Sequence, residues 1–192
     1  MSTVTIHPAT PDRFADAQHA LTGGGDGKSC QCQWWLLTNA EFTNSSADQR
    51  KDLLEAEITQ GPPPALIAYV DDSPAGWVRV GPRMKQPRLA RTKIIASSSS
   101  ESFDDESVWA VSCFVVRREH RGSRTTKALL EAAVTYAKEH GARVIEGYPV
   151  DTSAGKASSN SLYVGTLSTF LDAGFDVVAH PKPTRAVVAL TV

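Results

Sequence analysis

The run Val115-Val116-Arg117-Arg118-Glu119-His120-Arg121-Gly122-Ser123-Arg124-Thr125-Thr126-Lys127-Ala128-Leu129-Leu130 carries an apolar strand end through a short basic loop straight into an alanine-rich helix. At such a junction the first helical amides have no partner within the helix and point outwards, and here they do so beside several arginines. That combination favours an anion, and a pyrophosphate suits it well. A Walker loop is excluded, because no Gly-x-x-x-x-Gly-Lys-Ser/Thr run exists in the chain. A dinucleotide fingerprint is excluded too, because it requires three spaced glycines and this loop offers only Gly122.

Outward from the junction, Val108 to Val116 is an almost continuous apolar run and reads as a central strand. On the other side, Thr125 to His140 reads as a helix closed by Gly141. Ala142 to Tyr148 is a second buried strand ended by Pro149. Ser161 to Ala173 reads as one helix closed by Gly174, and Phe175 to Ala179 and Arg185 to Val192 as strands. Upstream, Thr3 to His7 alternates like a strand, and Thr10 caps a helix to about Leu21. The segment Thr22 to Gly27 reads as a mobile glycine loop. A helix from about Ala47 to Thr59 opens on the capping-box pair Ser46 and Gln49 and buries Leu53, Leu54 and Ile58. Ala65 to Val70 and Ala75 to Gly81 form an antiparallel hairpin. Pro82 to Ile95 is basic and irregular, and the serine-rich and acidic tract Ser97 to Glu106 reads as a solvated loop. This order implies an α/β fold with a mixed sheet flanked by about four helices.

The chain has 192 residues, which fits a single domain over 1–192. Twenty Lys and Arg against 21 Asp and Glu leave a net charge of -1, which argues against a broadly basic nucleic-acid binder. The cations Arg79, Arg83, Lys85, Arg88, Arg91 and Lys93 form the one local run that such a partner would use, and they read as solvated. No stretch approaches the roughly 18 apolar residues of a spanning helix, so no membrane partner is expected. Three cysteines, Cys30, Cys32 and Cys113, are too few for a disulfide framework and fit a reducing cytoplasm. Cys30 and Cys32 lack the second pair that a zinc site needs, so no metal is expected.

The junction resembles the acyl-CoA motif of the GCN5-related N-acetyltransferases (GNAT), a central strand, Gln/Arg-x-x-Gly-x-Gly/Ala, and a helix beginning with a Lys/Arg-Ala-Leu-Leu-like sequence. Anchored on Lys127-Ala128-Leu129-Leu130, the first motif position is Arg121, and the two glycine positions fall on Arg124 and Thr126. Cys113-Phe114-Val115-Val116 is similar to the splayed strand that pairs with pantetheine, and Ala173-Gly174-Phe175 to the turn after the last family helix. The likeness covers nearly all of the chain in element order and is sharpest over Val111 to Asp151. It implies a mostly antiparallel sheet with a splayed strand pair, and direct transfer of an acetyl group from acetyl-CoA to a primary amine of a small molecule or peptide.

On that resemblance, Phe114, Val115 and Val116 hold the pantetheine arm, and Arg121, Gly122, Ser123, Arg124, Thr125 and Thr126 the pyrophosphate. Glu146, at the end of a buried strand, is the first candidate base, with pairing to an arginine as its alternative reading, and Asp151 is the second. The family's usual acid tyrosine falls on Phe170, so Tyr163 takes that role, with Tyr148 as another phenol nearby. Trp34 and Trp35 are expected to wall the acceptor pocket. The resemblance admits a homodimer, although no segment marks an interface. A second reading stays open, a non-catalytic GNAT-fold acyl-CoA-binding or interaction module, because the loop glycines and the acid tyrosine are replaced.

Overall fold

The computed structural model describes residues 3–122, 124–153, 155 and 157–192. Seven strands form one sheet in the order β1-β2-β3-β4-β5-β7-β6. They are β1 (Val4–Pro8), β2 (Ala65–Val70), β3 (Ser73–Pro82), β4 (Val108–Val116), β5 (Val144–Gly147), β6 (Asp176–Lys182) and β7 (Arg185–Thr191). Every pairing is antiparallel except β4 with β5. β4 lies between β3 and β5, so the apolar run is a central strand, as its lack of polar alternation implies.

The period-two alternation of β3 splits the core. Trp77 and Arg79 face one layer, while Val78 and Val80 face the other. The first layer carries α1 (Phe14–Thr22), α2 (Gly27–Cys30), α3 (Asn39–Asn44) and α4 (Ala47–Gln60). The second carries α7 (Thr125–Glu139) and α8 (Leu167–Asp172), with Leu129, Leu130, Ala133 and Phe170 buried. Two short helices, α5 (Arg88–Arg91) and α6 (Lys93–Ala96), lie between β3 and β4 in sequence.

Ser46 and Gln49 form the expected capping box at α4, and Thr38 and Glu41 form a second one at α3. Four expectations change. Leu53 is exposed, so only Leu54 and Ile58 of its stripe are buried. The stretch read as one helix from Ser161 is a 3-10 turn over Ser159–Val164 followed by α8, because Gly165 at φ 82 breaks the helical path. The run from Pro82 to Ile95 is not a solvated basic loop. Arg79, Arg83 and Arg88 are all buried, so it offers no continuous face to a polyanion. The serine tract is fastened by Arg83, which donates to the carbonyls of Glu101 and Ser102 at 2.8 and 2.6 Å.

The glycine loop is packed. A Cβ on Gly23 would meet Arg117 Cγ at 2.2 Å, and one on Gly27 the Leu21 carbonyl oxygen at 2.3 Å. Glycine is required there because other chain elements occupy the space a side chain would take. Among the described residues no helix is long and apolar enough to cross a membrane.

Candidate active site

β4 and β5 pair only from Val108–Val144 to Val111–Gly147, and β4 then runs on to Val116 paired with β3 alone. Two local features open this fork. The β3–β4 register slips between Arg79–Cys113 and Val80–Val111, which makes Ser112 a bulge that bends β4. Beyond β5, Pro149 has no amide to donate, so the ladder cannot continue there. The Phe170 ring closes the floor. It is fully buried, and a Cβ on Gly147 would lie 2.3 Å from its Cε1.

The fork opens into a cavity of about 600 Å³. Cys113 to Val116 form one wall, Gly24 to Gly27 a second, and Leu162, Tyr163, Gly165 and Thr166 a third, with Arg121 and Thr126 near the start of α7. Of the expected cofactor residues, Phe114, Val115, Val116, Arg121 and Thr126 therefore meet at one place. Gly122, Arg124 and Thr125 are not on the lining, and Ser123 lies outside the described residues. Thr125 is buried where α7 approaches β3, since a Cβ on Gly76 would sit 3.3 Å from its methyl group. Arg124 occupies the N-cap of α7 at φ 61, a left-handed conformation that suits glycine. The loop thus keeps a glycine-type backbone at a position where the family motif has glycine. Arg121 Nε donates to the Val116 carbonyl at 3.3 Å, which sets its guanidinium at the cavity edge beside Gly24.

All three cysteines line this cavity. Cys32 sits in a turn where Gln31 and Cys32 both have positive φ, 50° and 56°. Trp77 Nε1 and Arg79 Nε each donate to its sulfur at 3.2 Å. Arg79 is itself held by Glu57 through two hydrogen bonds of 2.8 and 2.7 Å. Cys113 lies opposite Arg79 in the β3–β4 register. Burial opposes a thiolate at Cys32, but hydrogen bonding from Cys113 and the charge of Arg79 outweigh it and bring its pKa down to about 6. The contact with Cys32, with burial, pushes the Cys113 thiol well up. Sequence reading missed this pair because only the fold brings Cys113 to Cys32.

A second cavity, about 410 Å³, lies on the far side of Tyr163. Tyr163 and Trp34 line both cavities, whereas Trp35 lines the second alone. Burial raises the Tyr163 pKa first, with Cys113 adding to it and Arg185 pulling the other way, so the phenol holds its proton at neutral pH. Arg88 stacks over Trp34, its Cζ 3.7 Å from the ring centroid, and donates to the Trp34 carbonyl and to the Leu37 carbonyl at 2.5 Å.

Glu146 lines neither cavity. Only 1% exposed, it accepts from Arg83 Nη1 at 2.8 Å, Ser99 Oγ at 2.5 Å and Tyr148 OH at 2.9 Å. Its contacts are those of the arginine-paired reading of Glu146, with Tyr148, which does line the second cavity, as one of its donors. Asp151 is also away from both cavities. It accepts from Ser153 N at 2.9 Å and Ser153 Oγ at 2.6 Å, and the hydroxyl contact leads in holding its carboxyl below the usual range. His180 Nε2 stands 3.3 Å from its other oxygen. Among the described residues no cluster of metal-ligating side chains is found.

A family model described as the acetyltransferase (GNAT) family matches residues 32–163. Comparison with curated proteins returns no match. Among solved structures, the chain is similar to a ribosomal-protein-alanine N-acetyltransferase from Brucella melitensis, at 17% identity and a TM-score of 0.57, covering 98% of this chain and 99% of that one. It is similar also to a putative GNAT-family acetyltransferase from Desulfovibrio desulfuricans, at 16% identity and a TM-score of 0.56, with 98% and 99% covered. A third is the PaiA N-acetyltransferase from Thermoplasma acidophilum in complex with coenzyme A, at 13% identity and a TM-score of 0.55, with 99% of each chain covered. At these identities the structural likenesses speak for the fold.

Proposed function

The chain belongs to the GNAT acetyltransferase family, and from that premise we propose that it is an acetyl-CoA-dependent N-acetyltransferase acting by direct attack of a primary amine. The observation that carries this reading is the fork at β4. It leaves backbone groups of Phe114 to Val116 free of a β5 partner along a cavity of about 600 Å³, with Arg121, Thr126 and the N-terminus of a 15-residue helix near one end. An extended amide-bearing arm can add to such a strand edge, and a pyrophosphate suits cations beside a helix N-terminus. The glycine wall bounds the same space, because the absence of Cβ atoms lets Gly24 pack against Arg121 and Gly27 against the Leu21 carbonyl.

Acetyl-CoA, when bound, supplies an acetyl group activated as a thioester. In the transfer the acceptor nitrogen gains a bond to the acetyl carbon and loses one proton, while the departing sulfur gains one. Backbone amides of β4 beyond the bulge position the thioester and polarise its oxygen. Tyr163 Oη, protonated at neutral pH and placed between the two cavities, donates to the departing sulfur. Trp34, which also faces both cavities, bounds the acceptor's approach. Among the described residues no glutamate lines either cavity and Asp26 is the only aspartate, so the amine proton leaves through water. A second reading, an acyl-CoA-binding module without transfer, draws on the locked Glu146 and on Phe170 in place of the family phenol.

The test is release of free CoA from acetyl-CoA in the presence of a panel of primary amines. Amine-dependent release that falls at least tenfold in Tyr163→Phe supports the reading. Acetyl-CoA binding with no release for any amine supports the module.

A further inference from the structure

Taking the second cavity as the acceptor site, and so resting on the function just proposed, we infer that the acceptor is a small amine that also carries a carboxylate or phosphate, held by Lys182 and Arg185 at the β6–β7 turn.

Three observations converge on this. Lys182 and Arg185 are direct cross-strand partners, and both line the second cavity. Like charges directly opposite one another destabilise a strand pair. Among the described residues no ion pair joins either of them to a carboxylate, and no carboxylate lines this cavity. An anion between the two cations would convert the repulsion into two charge-assisted hydrogen bonds.

The interior supports the same sign. Arg88 lines the cavity with 8% of its surface exposed, and its partners are neutral oxygens, two backbone carbonyls and Asn39 Oδ1. A buried cation without a counter-ion leaves a positive field in the space beside it. Trp35 and Ile95 add apolar surface to the same cavity. The lining thus combines the two cations of the β6–β7 turn, the buried Arg88, the apolar Trp35 and Ile95, and the protonated phenol of Tyr163, which also lines the first cavity. An amine that carries an anionic group and an apolar body matches this lining, with its nitrogen toward Tyr163.

The experiment uses the reaction products as binding probes, so it does not depend on turnover. N-acetyl-leucine, N-acetyl-leucinamide and N-acetylethanolamine phosphate are titrated against the full chain, with the fluorescence of Trp34 and Trp35 as readout. At least one anionic probe is expected to bind ten or more times tighter than the amide, and whichever does identifies carboxylate or phosphate as the group. Arg185→Gln should abolish that preference and Lys182→Gln, at an exposed position, should reduce it, while the affinity of both variants for acetyl-CoA stays within twofold. The inference is overturned if the amide binds as well as the anions, if no probe binds at millimolar concentration, or if both variants keep the preference. Failure of the wild-type chain to bind acetyl-CoA would instead remove the proposed function and leave the anion result to be read separately.

Discussion

Replacing Glu146 with glutamine removes one charge from a site that solvent does not reach. Its partner Arg83 is 1% exposed, and Glu146 is its only ion-pair partner among the described residues. The other groups around the guanidinium are neutral, namely Ser99 Oγ, the carbonyls of Glu101 and Ser102, and the Phe103 ring 4.0 Å from Cζ. Among the described residues Arg83 Nε has no hydrogen-bond partner. Breaking a buried pair by removing one partner costs about 3–5 kcal/mol. Glutamine keeps one acceptor oxygen, which sets the expectation at the low end, about 3 kcal/mol. In a domain of this size that corresponds to a fall in Tm of about 6–12 °C. Thermal and urea unfolding of Glu146→Gln would measure it, alongside calorimetry with acetyl-CoA, for which no change in affinity is expected because Glu146 lines neither cavity. A loss of stability below about 1 kcal/mol, together with a flattened alkaline limb of the turnover profile, would refute the reasoning and restore Glu146 as a base.

Other substitutions probe the remaining elements. Gly27→Ala forces a Cβ to within 2.3 Å of a backbone oxygen, and should cost about 1–3 kcal/mol in urea unfolding. Arg124→Gly removes a left-handed residue at φ 61, and after the greater chain entropy of glycine is subtracted should stabilise by about 0.5–1 kcal/mol. The Cys32 thiol, with its folded pKa near 6 and its unfolded value near 9, contributes stability that is fully present above pH 9 and is lost as the pH falls toward 6. The urea midpoint of the wild type should therefore decline between pH 9 and pH 6 more steeply than that of Cys32→Ser, and equal slopes would show that Cys32 is not ionised in that window.

The parts of this molecule legible in the sequence are those where one local rule suffices. The unbroken apolar run of β4, the polar stripe of α7 and the Ser46–Gln49 box each specify an element without reference to the rest of the chain. Gly165 shows the opposite case. Its neighbours favour a helix, but Phe170 and Phe114 crowd it, and its φ of 82 turns the chain. The basic run resembles a solvated loop in sequence because the oxygen and sulfur acceptors that bury Arg79, Arg83 and Arg88 come from distant segments. The position of Glu146 at a strand end likewise says nothing of its partner Arg83, 63 residues away in the chain. The strand and loop that line the first cavity were legible because they are contiguous. The thiol pair and the cationic second cavity were not, because they are assembled from residues on both sides of the sheet's fork.

The central claim is that the fork at β4, with Arg121 at its edge, is built to hold acetyl-CoA. Calorimetric titration of the wild-type chain and of Arg121→Ala with acetyl-CoA and with desulfo-CoA tests it directly. Saturable binding of both ligands at one site per chain, with both weakened in Arg121→Ala, is the result the account predicts. A folded wild-type chain that binds neither would contradict it.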